Sequence, residues 1–349
     1  MEKKVKMADI ANELNVSIVT ISKALSGQKG VSEEMRKKIV VLAEQMGYKQ
    51  YIPSKNKTEK SYNLGILVPG RYFGKYVSFY WQLYQEVATK AVQKQCFTML
   101  EVISTEDEEN SHIPLLVKEQ KVDGIILMGQ PEQSYLKNLL TECNVPLVCL
   151  DFFDQATPCD AVISDGFYGT YMLTNHLFQE GHKEIAYVGT LLYTSSITDR
   201  YLGYYKAMME HGRKVTEDCV FNDRDWETGD VEGYQMEFPE KMPTAFVCNS
   251  DLAAFVLIKA LRQKGYRVPE DISVVGFDNY LYPGICDVGI TSYDVNVKEM
   301  ADRSLELLIE RIGNKTVKYS VNVISGNPVY KDSVAKFNKP APEEGGLKL

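Results

Sequence analysis

Several chemical resources are missing or scarce in this 349-residue chain. No stretch approaches the roughly 18 consecutive apolar residues that a membrane-spanning helix needs. The opening Met1-Glu2-Lys3-Lys4-Val5-Lys6 leads into no apolar signal segment, so the sequence predicts a cytoplasmic protein that makes no use of a membrane. The seven cysteines (Cys96, Cys143, Cys149, Cys159, Cys219, Cys248, Cys286) are odd in number, scattered and free of any Cys-x-x-Cys. That pattern argues against a disulfide framework and a structural zinc site, and places most of them in apolar cores. The four histidines (His112, His176, His182, His211) share no metal-ligand spacing, and His182 reads as a turn-packing residue. Gly-x-Gly-x-x-Gly after a strand, Gly-x-x-x-x-Gly-Lys-Ser/Thr, Gly-x-Ser-x-Gly and His-Glu-x-x-His are all absent. No catalytic residue, metal or cofactor is predicted.

What is present is an ordinary globular composition, 44% hydrophobic and 25% charged, long enough for two or three domains. The net charge of −8 hides an asymmetry. The first 60 residues carry twelve Lys and Arg against seven Asp and Glu, whereas the remainder carries 27 against 40. A basic head joined to an acidic body is what a nucleic-acid-binding module attached to a differently employed domain would show.

Residues 5 to 48 read as three short helices. Ile10, Ala11 and Leu14 fall on one face of the first; Ile21, Ala24 and Leu25 on one face of the second; Met35, Ile39, Leu42, Ala43 and Met46 on one face of the third. Ser17 and Ser32 are natural N-caps, and Val16 and Ile21 have the spacing of a hydrophobic staple. Only Asn15 and Val16 separate the first two helices, so the pair must cross steeply, the arrangement of a helix-turn-helix. Residues 49 to 62 are polar, Lys-rich and broken by Pro53, and read as a linker. From Leu64 onward, apolar runs at 64–68, 97–102, 124–128, 147–150, 162–164, 185–188, 245–248 and 273–276 alternate with amphipathic helical segments. Such runs argue for parallel sheets covered on both faces, in two α/β lobes. The end, 339–349, reads as a disordered tail without a leucine heptad.

The second helix carries the chemistry. Ser17, Ile18, Val19, Thr20, Ser22 and Lys23 supply hydroxyls and a cation for phosphates and base edges, with two apolar side chains suited to thymine methyls. A solvated face on a small helical bundle is the alternative, but it explains an Ile18-Val19 pair at a helix start poorly.

These residues resemble a family. The run from Val5 to Gly27, with Val31-Ser32 and Met46-Gly47-Tyr48, is similar to the DNA-binding head of the lactose-repressor (LacI-type) family of bacterial transcription regulators. Val122 to Leu127, Val145 to Val148 with Asp151, His176 to Gly189 and Val268 to Asp278 continue the resemblance in order through the body. The resemblance implies an all-α helix-turn-helix head on an α/β body like type I periplasmic binding proteins, with two lobes around an effector cleft and three chain crossovers. The implied boundaries are a head at 1–48, a hinge at 49–62 and a body at 63–338. Its first lobe takes about 63–163 and 292–322, and its second about 164–291 and 323–338.

By the same resemblance Arg200 clamps sugar hydroxyls or a phosphate, and Asp278 accepts from ligand hydroxyls, a turn cap being the other reading of that aspartate. Trp226 stacks on a sugar ring or sits in the core. Ser250, beside Asp251, stands where an Asn-Asp pair is usual. Asp151 and Asp165 either contact ligand or cap strand ends, and Tyr72, Phe73, Tyr76, Phe79 and Tyr80 form an aromatic loop suited to ring stacking. One departure stands out: the family's hinge motif Ala-Arg-x-x-Leu has no counterpart in Ile52 to Lys60, where Lys55 and Lys57 offer phosphate contacts instead. The implied protein is a homodimeric repressor, not an enzyme, that reads a pseudo-palindromic double-stranded operator and answers to a small-molecule effector, most naturally a carbohydrate. A binding protein or enzyme on the same scaffold, with the N-terminal helices as a docking module, is the competing reading.

Overall fold

The computed structural model describes residues 5–25, 29–46, 48, 61–73, 78–154, 159–281, 284–313 and 318–337, the side chain of Glu44 excepted. Lys55, Lys57, Tyr76, most of the hinge and the C-terminal tail lie outside the described residues. The chain divides into two compact units, Met1–Glu59 and Lys60–Leu349.

In the first unit, α1 (Met7–Glu13), α2 (Ile18–Leu25) and α3 (Glu33–Gln45) enclose Ile10, Ala11, Ile21, Ala24, Ile39 and Ala43. The short link between α1 and α2 works because Asn15 takes a left-handed conformation (φ +50°), one that asparagine tolerates better than most residues. That turn lets Val16 N–H reach Ala11 O at 3.0 Å and Asn15 N–H reach Asn12 O at 3.3 Å, a Schellman closure of α1. Ser17 then caps α2, its Oγ accepting from Thr20 N–H at 3.1 Å. At the other end, the Arg36 guanidinium from α3 donates to Ala24 O at 2.7 Å and Lys23 O at 3.3 Å, where terminal carbonyls have no helical partner.

The second unit contains two parallel sheets. One is built from β1 (Asn63–Pro69), β2 (Phe97–Ile103), β3 (Gly124–Met128), β4 (Leu147–Leu150), β5 (Asp160–Ser164) and a late strand, β11 (Val321–Ile324), in the order β11-β5-β4-β3-β1-β2. Alternate residues of its central strands face opposite ways. Leu64, Ile66 and Val68 pack with α4 (Phe79–Gln93) and α11 (Val297–Gly313), while Leu67, Ile125 and Leu127 pack with α7 (Gln133–Glu142). Two short helices, α5 (Thr105–Glu109) and α6 (Leu115–Lys118), finish this lobe. The other sheet, in the order β7-β6-β8-β9, comprises β6 (Ile185–Val188), β7 (Val220–Phe221), β8 (Ala245–Cys248) and β9 (Ser273–Val275). It is accompanied by α8 (Gly166–Gln179), α9 (Ser195–Glu210) and α10 (Asp251–Gln263).

The chain crosses between lobes after β5, after β9, and again after β11. β10 (Ser292–Asp294) and β12 (Asn327–Val329) pair antiparallel within the crossings. Two boundaries therefore shift from the sequence reading. Residues 292–294 belong to the crossing ribbon, and the last crossing follows Ile324, because Val323 and Ile324 pair with Ile163 and Ser164 of the first sheet. Buried His182 ties the final segment to the second lobe through Thr244 Oγ1 and Ala335 O, both at 3.0 Å, which is a packing role. No described helix is long and apolar enough to cross a membrane.

Candidate effector cleft and DNA-reading helix

On the head, α2 buries Ile21 and Ala24 and turns Ile18, Val19, Ser22 and Lys23 outward, with Thr20 half-buried. Ile18 and Val19 are 53% and 61% exposed, an adjacent apolar pair that the helical core does not use. The Ser17 hydroxyl is engaged locally, by the cap and by Thr20 Oγ1 at 2.9 Å.

In the body, a cleft of about 460 Å³ is walled by loops from both sheets, and the loops that follow parallel strands are where open α/β sheets bind ligands. Arg200 lies on α9, which sits close against α8 because Gly203 has no Cβ; one there would run into Phe167 O. The Arg200 guanidinium, 5% exposed, donates to Asn249 O at 2.6 Å and to Asp278 Oδ1 at 3.2 Å, and lies 4.0 Å from the Phe277 ring centre. Its buried Nε has no hydrogen-bond partner among the described residues.

Asp278 and Asp151 are both held at positive φ, +95° and +67°, a strained backbone for aspartate of the kind that collects at functional sites. Burial pushes the Asp278 carboxyl up to about 7 despite Arg200, with Asp151 adding to the rise and Arg224 opposing it. Burial also raises Asp151, while Arg200 and the Tyr80 hydroxyl, donating to its Oδ2 at 2.8 Å, hold it down. Tyr72 and Tyr80 lie 4.3 Å apart, centre to centre, as a tilted pair on one wall, and burial pushes the Tyr72 hydroxyl up to about 12. Gly129, at φ +81°, makes room for them: a Cβ there would stand 2.6 Å from the Tyr72 ring.

Two further arginines line the cleft, each already matched with a buried carboxylate. Arg71 grips both oxygens of Glu108 at 2.6 and 2.9 Å. Arg224 grips Asp223, its closest contact 2.7 Å, and Asn249 Nδ2 donates to the same carboxylate at 2.8 Å. Burial alone would raise Asp223, but Arg224, Asn249 and the Thr190 N–H bring it below the usual carboxylate range.

Of the residues expected from sequence, the cleft brings together Tyr72, Asp151, Arg200, Ser250 and Asp278, with Phe79 and Tyr80 beside them. Ser250 also caps α10 by accepting from Ala253 N–H at 3.1 Å. Phe73 and Trp226 are not in the cleft wall. Phe73 packs edge-on against Trp81, and Trp226, 59% exposed, packs against Tyr193 beside a separate hollow. Asp165 caps α8 through Tyr168 N–H. The sequence reading missed Arg71, Arg224, Asn249, Thr194 and Ser196. Asn249 could have been found, since it follows β8 directly and precedes Ser250; Arg71 and Arg224 carry no motif of their own.

Residues 6–50 match the model of the bacterial regulatory proteins of the lacI family, and residues 174–334 match the periplasmic binding protein-like domain. The HTH-type transcriptional regulator RegA of Clostridium saccharobutylicum is 30% identical, with 93% of this chain and 98% of that protein aligned. The HTH-type transcriptional repressor PurR of Actinobacillus pleuropneumoniae serotype 3 (strain JL03) is 27% identical over 95% of this chain and 98% of its own length. Among solved structures, the lac repressor dimer bound to operator and the anti-inducer ONPF superposes with a TM-score of 0.70 at 20% identity. That match covers 95% of this chain and 100% of the other. A helix-turn-helix head and a two-lobed periplasmic-binding-type body define a DNA-binding transcriptional regulator rather than an enzyme. The chain belongs to the lacI family of bacterial regulatory proteins.

Proposed function

We propose that this regulator acts as a homodimeric repressor whose two α2 helices read the halves of a pseudo-palindromic operator, and that a neutral sugar or related polyol in the cleft controls that binding. The lysines Lys55 and Lys57, between head and body in sequence, are assigned to phosphates. The lac repressor in the superposed structure is a dimer on its operator, and two-fold symmetry of that kind requires two-fold related half-sites.

The observation that carries the effector class is the charge pairing of the cleft. Among the described residues each cleft arginine already has a carboxylate partner, Arg71 with Glu108, Arg224 with Asp223 and Arg200 with Asp278, which leaves little positive charge to hold a phosphate or carboxylate ligand. Hydroxyl groups suit what is left: they donate to Asp278 and Asp151, accept from Arg200, and leave an apolar ring face for Tyr72 and Tyr80. The effector would stabilise one lobe arrangement over another and shift DNA affinity by that difference.

Selection of binding sites from random duplex DNA, together with a thermal-shift screen of neutral sugars, sugar phosphates and purine bases, tests the reading. Enriched sites with two-fold related halves and melting shifts from neutral sugars are expected. Enrichment of single half-sites would overturn the dimer, and shifts from sugar phosphates or purines alone would overturn the polyol.

A further inference from the structure

Seven cysteines scattered through a sequence promise no disulfide, yet the fold brings two of them into contact. Cys149 lies in β4 and Cys159 immediately precedes β5, strands that pair parallel with Cys149 opposite Ala161. Cys159 is two residues before Ala161, so side-chain alternation puts both thiols on the same sheet face. Their sulfurs lie 3.1 Å apart. Two thiolates sharing a tetrahedral zinc at about 2.3 Å each would stand about 3.8 Å apart, and no group of three or more potential ligands occurs among the described residues. The spacing therefore suits sulfur–sulfur bonding better than metal.

We propose that Cys149 and Cys159 are a redox modification site, a thiol pair that hydroperoxides convert to a reversible disulfide. Cys149 is completely buried and Cys159 half-buried, so the peroxide meets Cys159 first. The Cys159 sulfur attacks the peroxide oxygen, the O–O bond breaks, and an alcohol (water, from hydrogen peroxide) leaves as the sulfur becomes a sulfenic acid. The Cys149 thiol then displaces hydroxide from that sulfur, forming the S–S bond and releasing water with its own proton. Contact with Cys159 and burial push the Cys149 thiol well up, which slows the second step, and the pre-set contact compensates by making it intramolecular. Among the other cysteines, Cys96, Cys143 and Cys219 have oxygen partners instead.

The bond also bears on stability. Asp151 follows Cys149 by two residues and is joined to β5 by its N–H to Val162 O at 2.8 Å. A 149–159 bond closes a ring containing Asp151 and restrains it in the unfolded chain, so oxidation should raise thermal stability.

The test treats the full chain with one equivalent of hydrogen peroxide, followed by non-reducing peptide mass mapping, with Cys149→Ala and Cys159→Ser alongside. The 149–159 linked peptide should dominate, the melting temperature should rise, and dithiothreitol should reverse both. Cys159→Ser should show neither change. Cys149→Ala should accumulate a dimedone-trapped sulfenic acid at Cys159. Linkage spread over other cysteines, over-oxidation of Cys159 without linkage, or an unchanged melting temperature in fully linked protein would overturn the proposal. None of these readouts depends on the identity of the effector.

Discussion

Replacing Arg200 by alanine should destabilise the body strongly, for a reason specific to the charge it faces. Arg200 is buried between Asp278 Oδ1, at 3.2 Å, and Asn249 O, at 2.6 Å, with Phe277 under its guanidinium. Removing one member of a buried ion pair costs about 3 to 5 kcal/mol, most of it from stranding the other charge. Asp278 can escape by keeping its proton, since it already sits near 7 with Arg200 in place, so the cost at neutral pH should fall at about 3 kcal/mol. In a body of this size that lowers the melting temperature by about 6 to 12 °C.

The pH dependence has a definite sign. A carboxyl whose native pKa lies above its unfolded value of 3.8 holds its proton more tightly when folded. Its contribution is complete below the unfolded value and is lost as pH rises through the native one. Without Arg200 the native value rises further, so the variant keeps losing stability above pH 7 where the parent's loss levels off. Its deficit should therefore be larger at pH 8 than at pH 5.5. Asp278→Asn in the same background removes the stranded carboxylate and should recover at least about 1 kcal/mol. Urea unfolding of the single and double variants at the three pH values reads all of this. A deficit below about 1 kcal/mol, or one that neither varies with pH nor eases with Asp278→Asn, would mean that Arg200 does not hold a buried charge in place.

Ser17→Ala removes the α2 cap and should cost the head about 1 kcal/mol in unfolding experiments that follow helical signal, with loss of operator affinity. Exchanging the exposed pair Ile18 and Val19 for other side chains should change which operators are preferred, by about 1 to 3 kcal/mol per altered base contact in competition gel shifts. Gly129→Ala forces an alanine into φ +81° and against the Tyr72 ring. It should weaken polyol binding in calorimetry while DNA binding without effector is retained.

The head was legible almost to the residue, because apolar spacing, Ser caps and a two-residue link all demand the same steep crossing of α1 and α2. The central strands of both sheets were equally plain: doubly covered strands read as unbroken apolar runs, as β3 does with all five residues buried. β11 was invisible because it lies at an edge and alternates exposed and half-buried residues, and β10 and β12 because they are three-residue crossing strands. Arg200 and Asp278 were found through family landmarks. Their meeting is a property of the fold, being 78 residues apart in sequence. Arg71 and Arg224 escaped because their partners Glu108 and Asp223 announce no pattern, and Trp226 misled because an isolated tryptophan gives no sign of which hollow it faces. The contact between Cys149 and Cys159 depends on the register of β4 against β5, which the spacing of cysteines cannot reveal.

Occupation of the body's cleft should govern what the head does on DNA. Fluorescence anisotropy of a selected operator duplex, titrated with a polyol from the thermal-shift screen, measures it directly in the parent chain and in Asp278→Asn. The polyol should change operator affinity several-fold in the parent, and Asp278→Asn should bind the operator as tightly as the parent without polyol but lose most of the response. An undiminished response in Asp278→Asn, or a polyol that saturates the cleft and leaves operator affinity unchanged, would contradict it.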